Sequence, residues 1–182
     1  NGSNDKAMKT NRKILLILII LCVCVACDQA TKAIAKQHLA GAPTIYALGG
    51  TVMLHYSENV GAFLSLGANL PETARVWIFI VFNSLVLTGT CIFTLTMRTF
   101  SVWDVTGGAL IVSGGFSNLI DRLFHNGAVV DFLNVGIGKV RTGIFNLADV
   151  AIMVGIGLLL IEAWRREDTH NISIASPNEN KR

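Results

Sequence analysis

The chain has 182 residues, with 15 Lys+Arg, 12 Asp+Glu and a formal net charge of +3. Charged residues make up 15%, against about 25% in an average soluble domain, while hydrophobic residues reach 52% and mean hydropathy is +0.54. This composition excludes a disordered chain and argues against an ordinary soluble enzyme. No basic cluster is interleaved with aromatics, which sets nucleic acid aside as a partner.

In chain order, residues 1–7 read as an expression remnant, with Met8 as the natural start. Lys9, Arg12 and Lys13 then precede an uncharged run over 14–27 that ends in Val25-Ala26-Cys27. The pattern resembles a signal peptide with a lipoprotein-type cleavage box. Three more apolar stretches follow it, so an uncleaved first span over about 14–35 is expected. Residues 38–73 are mixed, with Pro43, Gly49-Gly50, Pro71 and a strand-like run Thr51–Tyr56, and read as a small β-rich cap. A second span is predicted over about 74–97, bracketed by Arg75 and Arg98, and a third over 105–120, where Gly107, Gly108, Gly114 and Gly115 permit close helix approach. A polar segment over 121–142 completes the cap. The fourth span, about 143–164, contains Asp149 as its one charge up to Ile161. Residues 166–182 read as a disordered cytoplasmic tail.

The fold class is therefore an all-α polytopic membrane protein with four transmembrane helices and an extracytoplasmic β-rich cap, one domain over 8–165. Four spans put both termini on one side. Lys9, Arg12, Lys13, Arg98, Arg165 and Arg166 make that side cytoplasmic. Cys22, Cys24, Cys27 and Cys91 read as small buried hydrophobes, without metal-ligand spacing.

Polar residues then align at the outer boundary: Asp28 and Lys32, Asn59, Asn118 with Asp121 and Arg122, Asp131, and Asn146 with Asp149. No comparable cluster is expected at the inner side. Ionisable residues at such depth default to a functional site. Asp149, six residues into its span, lies roughly 9 Å along the axis and lacks a nearby cation in sequence. If Asp131 folds over the same point, the two carboxylates cannot both ionise, and one holds a proton while the other activates water. Other readings are structural. Asp28 and Lys32, at i,i+4, suit an interfacial helix-end pair that snorkels. Asn118 and Asp121 suit polar glue, with Arg122 orienting a loop or a substrate carbonyl. Asp104 suits a helix N-terminal cap, Glu58 a solvated charge, and His55 and His125 surface positions.

Five segments carry a resemblance: Asp28-Gln29-Ala30-Thr31-Lys32, Asn59-Val60-Gly61-Ala62-Phe63, Asn118-Leu119-Ile120-Asp121-Arg122, Val129-Val130-Asp131-Phe132 and Phe145-Asn146-Leu147-Ala148-Asp149. In this order, across residues 9–165, they resemble lipoprotein signal peptidase (signal peptidase II). The resemblance implies a bacterial inner-membrane aspartyl peptidase, active near the outer face, that needs no cofactor or metal. It implies cleavage before the lipidated cysteine of diacylglyceryl-modified prolipoproteins, contact with membrane lipid, and inhibition by the cyclic peptide globomycin. By resemblance Asp131 and Asp149 are the catalytic dyad. Asn118, Arg122, Asn146, Asn59, Asp28, Lys32, Asp121 and Gly61 then support the site or bind substrate. Ser117 stands where the family usually has Gly. The rival readings are a proton- or ion-coupled transporter and an inactive lipoprotein-binding relative. Spans two and three lack ionisable interiors, which disfavours the first. The presence of both aspartates disfavours the second. The G-x-S-x-G, G-x-G-D and HExxH motifs of other intramembrane proteases are absent from the chain.

Overall fold

The computed structural model describes residues 9–61, 71–96 and 101–175. In chain order these form α1 (Thr10–Leu39), β1 (Ile45–Ala47), a short 3-10 turn (Leu48–Gly50), β2 (Val52–Asn59), α2 (Glu72–Thr96), α3 (Val102–Phe124), β3 (Val129–Ile137), β4 (Val140–Arg141) and α4 (Leu147–Ala175). Ala62 and Phe63 of the second motif, Arg98, the expected remnant over 1–7 and the tail beyond Ala175 lie outside the described residues.

Three of the helices are long and apolar enough to cross a membrane: Thr10–Leu39, Val76–Thr96 and Leu147–Asp168. The expectation of four such helices is met in three. α3 falls short because it carries Asp104, four glycines, Ser113, Ser117, Asn118, Asp121 and Arg122. Its position explains that composition, since α3 is the central helix and packs against α1, α2 and α4. A Cβ on Gly107 would meet the Gly155 carbonyl of α4, and one on Gly114 would meet the Ala148 carbonyl. Gly108 and Gly115, one residue on in each case, face Thr94 and Leu87 of α2. Two glycine rows thus let α3 approach helices on two sides. Large apolar side chains such as Leu15 and Val23 of α1, Trp77 and Phe82 of α2, and Met153 and Leu160 of α4 point outward. A bilayer satisfies that surface; water does not.

The helices overrun the expected spans. α1 begins at Thr10 and ends at Leu39. α4 runs to Ala175, so residues 166–175 are helical rather than disordered, as befits a stretch with neither Gly nor Pro. The cysteines differ as well: Cys22 and Cys27 are exposed on α1, and Cys24 and Cys91 are half-buried. None of the four is fully buried.

The cap is a four-stranded antiparallel sheet in the order β1-β2-β3-β4, drawn from both outer segments. β2 contains the run Thr51–Tyr56 apart from its first residue and extends it to Asn59. Residues 121–124, expected in the cap, belong to α3 instead. Ala35 and Leu39 of α1 pack with Phe132, Leu54 and Leu133 and fasten the sheet to the bundle.

The opposite end corrects another expectation. Lys13, Ser101, Asp104 and Glu162 are all buried there. Ser101 and Asp104 form a reciprocal capping box at the start of α3, as expected of Asp104. The Ser101 hydroxyl donates to Glu162 Oε1 at 3.2 Å, and Arg166 pairs with Asp104. A second polar cluster therefore ties α3 to α4 where none was expected. Sequence alone did not reveal it because its members are far apart in the chain.

Candidate active site

β3 delivers Asp131. Its partner β2 holds one extra residue between Leu54 and Ser57, a β-bulge. The bulge shifts side-chain parity by one, which puts Asn59 on the face of Asp131. The Asn59 Nδ2 donates to Asp131 Oδ2 at 3.1 Å. The Asn59 Oδ1 accepts from the Gly61 N–H at 3.0 Å, which turns the chain at the strand end.

α4 delivers Asp149. Just before it, Phe145 bridges to Leu133 of β3, with hydrogen bonds of 2.8 and 2.9 Å. This stitch places Asn146 against Asp131. The Asn146 Oδ1 accepts from the Asp149 N–H at 2.9 Å, and the Asn146 N–H donates to Asp149 Oδ2 at 3.2 Å. The pair is a reciprocal cap at the start of a helix. Asp149 is thus in the first turn of α4, at the positive end of the helix dipole. It does not lie six residues inside the helix. The apolar run over 143–145 looked like helix, but its backbone is committed to β3.

One residue joins the two carboxylates. The Asn146 Nδ2 donates to Asp131 Oδ1 at 2.7 Å, while its own backbone N–H holds Asp149. Asn146 is fully buried. Burial foremost, then the charge of Asp149, pushes Asp131 up to about 6, against the opposing pull of the Asn59 and Asn146 hydrogen bonds. Asn118 Nδ2 donates to Asp149 Oδ1 at 3.0 Å.

Beneath the carboxylates lies a buried ion cluster. Lys32 Nζ contacts Asp28 Oδ2 at 2.7 Å, Asp121 Oδ2 at 2.8 Å and Asn118 Oδ1 at 2.9 Å. Asp28 and Lys32 are deeply buried, at 1% and 3% exposure. They do not snorkel, since Ser117, Asn118 and Asp121 of α3 and the Ala148 N–H of α4 pair with them inside the bundle. Asp121 also accepts from the Val130 N–H at 3.1 Å, so the expected polar glue joins α3 to β3. Arg122 donates to the Gly61 carbonyl at 3.2 Å and to the Asn118 carbonyl at 3.4 Å, and lies over the Phe79 ring. It thereby holds Gly61, just beyond the end of β2.

All ten sequence-predicted site residues therefore meet around one point. Two further residues joined the cluster unforeseen: Gln29, whose Nε2 donates to Asp121 Oδ1 at 2.8 Å, and Ser117, which donates to Asp28. Gln29 falls within a 100° arc with Asp28 and Lys32 on a helical wheel, and that arc was the available signal. His55 is exposed, whereas His125 is half-buried at the end of α3. Among the described residues no three His, Cys, Asp or Glu side chains converge to hold a metal ion.

The signal peptidase (SPase) II family model matches residues 20–165. The lipoprotein signal peptidase of Treponema denticola is 34% identical over 164 residues, covering 85% of this chain and 93% of that protein. That of Streptococcus pyogenes serotype M1 is 35% identical over 160 residues, covering 88% and 98%. Two solved structures, described as a bacterial membrane enzyme determined by the in meso method at 2.3 and 1.9 Å resolution, share the fold. Their TM-scores are 0.71 and 0.70 at 22% and 23% identity, over 97% and 87% of this chain and 97% and 96% of theirs. With the family's model matched across most of its length, the chain belongs to the signal peptidase II family.

Proposed function

We propose that Asp131 and Asp149 are the acid–base pair of this enzyme. The chain is an aspartic peptidase of the signal peptidase II type and removes signal peptides from prolipoproteins. The observation that carries the assignment is the single Asn146 side chain and backbone holding both carboxylates. With Asp131 raised to about 6, the pair holds one proton between two carboxylates around that pH. The ionised member takes a proton from water, whose oxygen attacks the scissile carbonyl. The protonated member donates to the carbonyl oxygen, and the proton returns to the leaving amine. Asn59, Asn118 and Asn146 orient the pair, Asp28, Lys32 and Asp121 support them, and Arg122 and Gly61 fix the end of β2 beside Asn59.

The finer reading follows from where this site sits. It lies at one end of the apolar helices, the level at which a lipid anchor holds its peptide. The substrate is then a diacylglyceryl-modified prolipoprotein cut before its lipidated cysteine, and globomycin competes for the same groove. α3 is the fourth span, its polar face turned into the bundle. Residues 8–165 form one domain in the bacterial inner membrane, with both termini cytoplasmic and the sheet outside. Basic residues near Thr10 and Trp164 support that direction.

The test is cleavage of a diacylglyceryl-modified prolipoprotein by purified protein in detergent. Asp131→Asn and Asp149→Asn should each lower the rate by about 10²–10⁴-fold, and the double variant should be little worse than either. Asp104→Asn, at the opposite end, should stay near wild type. An Asp149→Asn enzyme that keeps more than about a tenth of the rate refutes the dyad.

A further inference from the structure

Two serines on one face of α3 spend their hydroxyls differently. Ser113 and Ser117 are a turn apart, and both are fully buried. Ser113 Oγ donates back into its own helix, to the Ala109 carbonyl at 2.6 Å, the usual outlet for a serine inside a helix. Ser117 Oγ instead donates across to α1, to Asp28 Oδ2 at 2.7 Å, and accepts from Gln29 Nε2 at 3.0 Å. The other oxygen, Asp28 Oδ1, accepts the Ala148 backbone N–H at 2.9 Å. That N–H is one of the free donors of the first turn of α4, and it immediately precedes Asp149. Asp28 therefore clamps the end of α4 that carries a proposed catalytic carboxylate, and Ser117 and Lys32 set the plane of the clamp. Lys32 is a point charge that tolerates several orientations of a carboxylate. A hydroxyl at 2.7 Å restricts it to fewer.

We propose that Ser117 is a positioning residue for the peptidase reaction, acting through Asp28 on the first turn of α4 and so on Asp149. Ser117 touches neither carboxylate of the dyad and exchanges no proton with substrate. The proposal rests on the dyad assignment above.

The experiment uses Ser117→Ala in the full chain, purified in detergent. Removing one oxygen leaves the packing of α3 intact. Cleavage of diacylglyceryl-modified prolipoprotein should show kcat lowered about tenfold with KM within about twofold, because a loosened Asp149 affects the chemical step and not substrate capture. Amide exchange should rise in the segment over 147–150 and stay unchanged at the start of α3, where Ser101 and Asp104 cap the helix. Unchanged kcat with unchanged exchange overturns the proposal. Exchange rising equally in all helices also overturns it, since that marks a general packing role. If wild-type protein fails to cleave, the functional reading fails, while the exchange measurement still decides whether Ser117 holds α4.

Discussion

Asp131 is predicted to cost the fold stability at the pH where it works, and Asp131→Asn should reveal this. Its folded pKa of about 6 stands above the ordinary 3.8. A carboxyl with a raised folded value stabilises the fold while protonated, below about pH 4, and that contribution is lost as pH rises through about 6. At about 1.4 kcal/mol per unit, the ionised form at pH 8 carries a penalty of roughly 3 kcal/mol relative to the unfolded chain. Asn has nearly the same shape and no charge, so it removes the penalty. It brings a smaller cost of its own. Asp131 accepts from Asn59 on one oxygen and from Asn146 on the other, and an amide nitrogen facing either donor forfeits a hydrogen bond, at about 1–2 kcal/mol. The net gain is about 1–2 kcal/mol at pH 8, a rise in Tm of about 2–8 °C for a chain of this size. At pH 4 the gain should vanish or reverse. Thermal unfolding of both proteins in the same detergent at pH 4 and pH 8 makes the comparison. A variant less stable than wild type at both pH values, or more stable by the same margin at both, would refute the assignment of the strain to ionised Asp131.

Lys32→Met should damage the fold more than any single carboxylate change. It leaves Asp28 and Asp121 buried without their shared cation, at about 3–5 kcal/mol. Adding Asp28→Asn and Asp121→Asn should restore part of the loss in a thermal melt. Gly114→Ala and Gly157→Ala should differ in sign. A methyl at Gly114 meets the Ala148 carbonyl and Ile152, so it forces α3 from α4 beside Asp149, with a stability loss of about 1–3 kcal/mol and reduced cleavage. Gly157 faces open space, and alanine there should be neutral or raise stability by up to about 1 kcal/mol.

Much of the site was readable because carboxylates and lysine beside uncharged runs are costly and therefore few. Once Asp28, Lys32, Asp121, Asp131 and Asp149 were placed at one level, little freedom remained for how they meet. What could not be read was which atoms they meet through. The i,i+4 spacing of Asp28 and Lys32 is the same for an exposed interfacial pair and for a buried one. Only the approach of α3 and of the start of α4 decides in favour of burial. The depth of Asp149 was misjudged for a related reason. Hydropathy cannot distinguish an apolar residue inside a helix from one such as Phe145, whose backbone pairs with a strand. Gln29 and Ser117 are neutral, so they raised no electrostatic alarm, yet a buried carboxylate such as Asp28 requires donors for both oxygens.

The same requirement explains the architecture of α3. A site of two buried carboxylates, one buried lysine and a dyad loses more than it gains if any member is left unsatisfied. Satisfying all of them demands backbone and side-chain donors from α1, α3, α4 and the sheet within about 3 Å of one another. Helices carrying large side chains at their contacts stand 8–10 Å apart. The glycines at 107 and 114 bring α4 close, and those at 108 and 115 bring α2 close. A central helix that is poor in large apolar residues is thus a geometric condition for the ion cluster. This is why the helix least suited by hydropathy to cross a bilayer is the one that Asn118, Asp121 and Arg122 occupy.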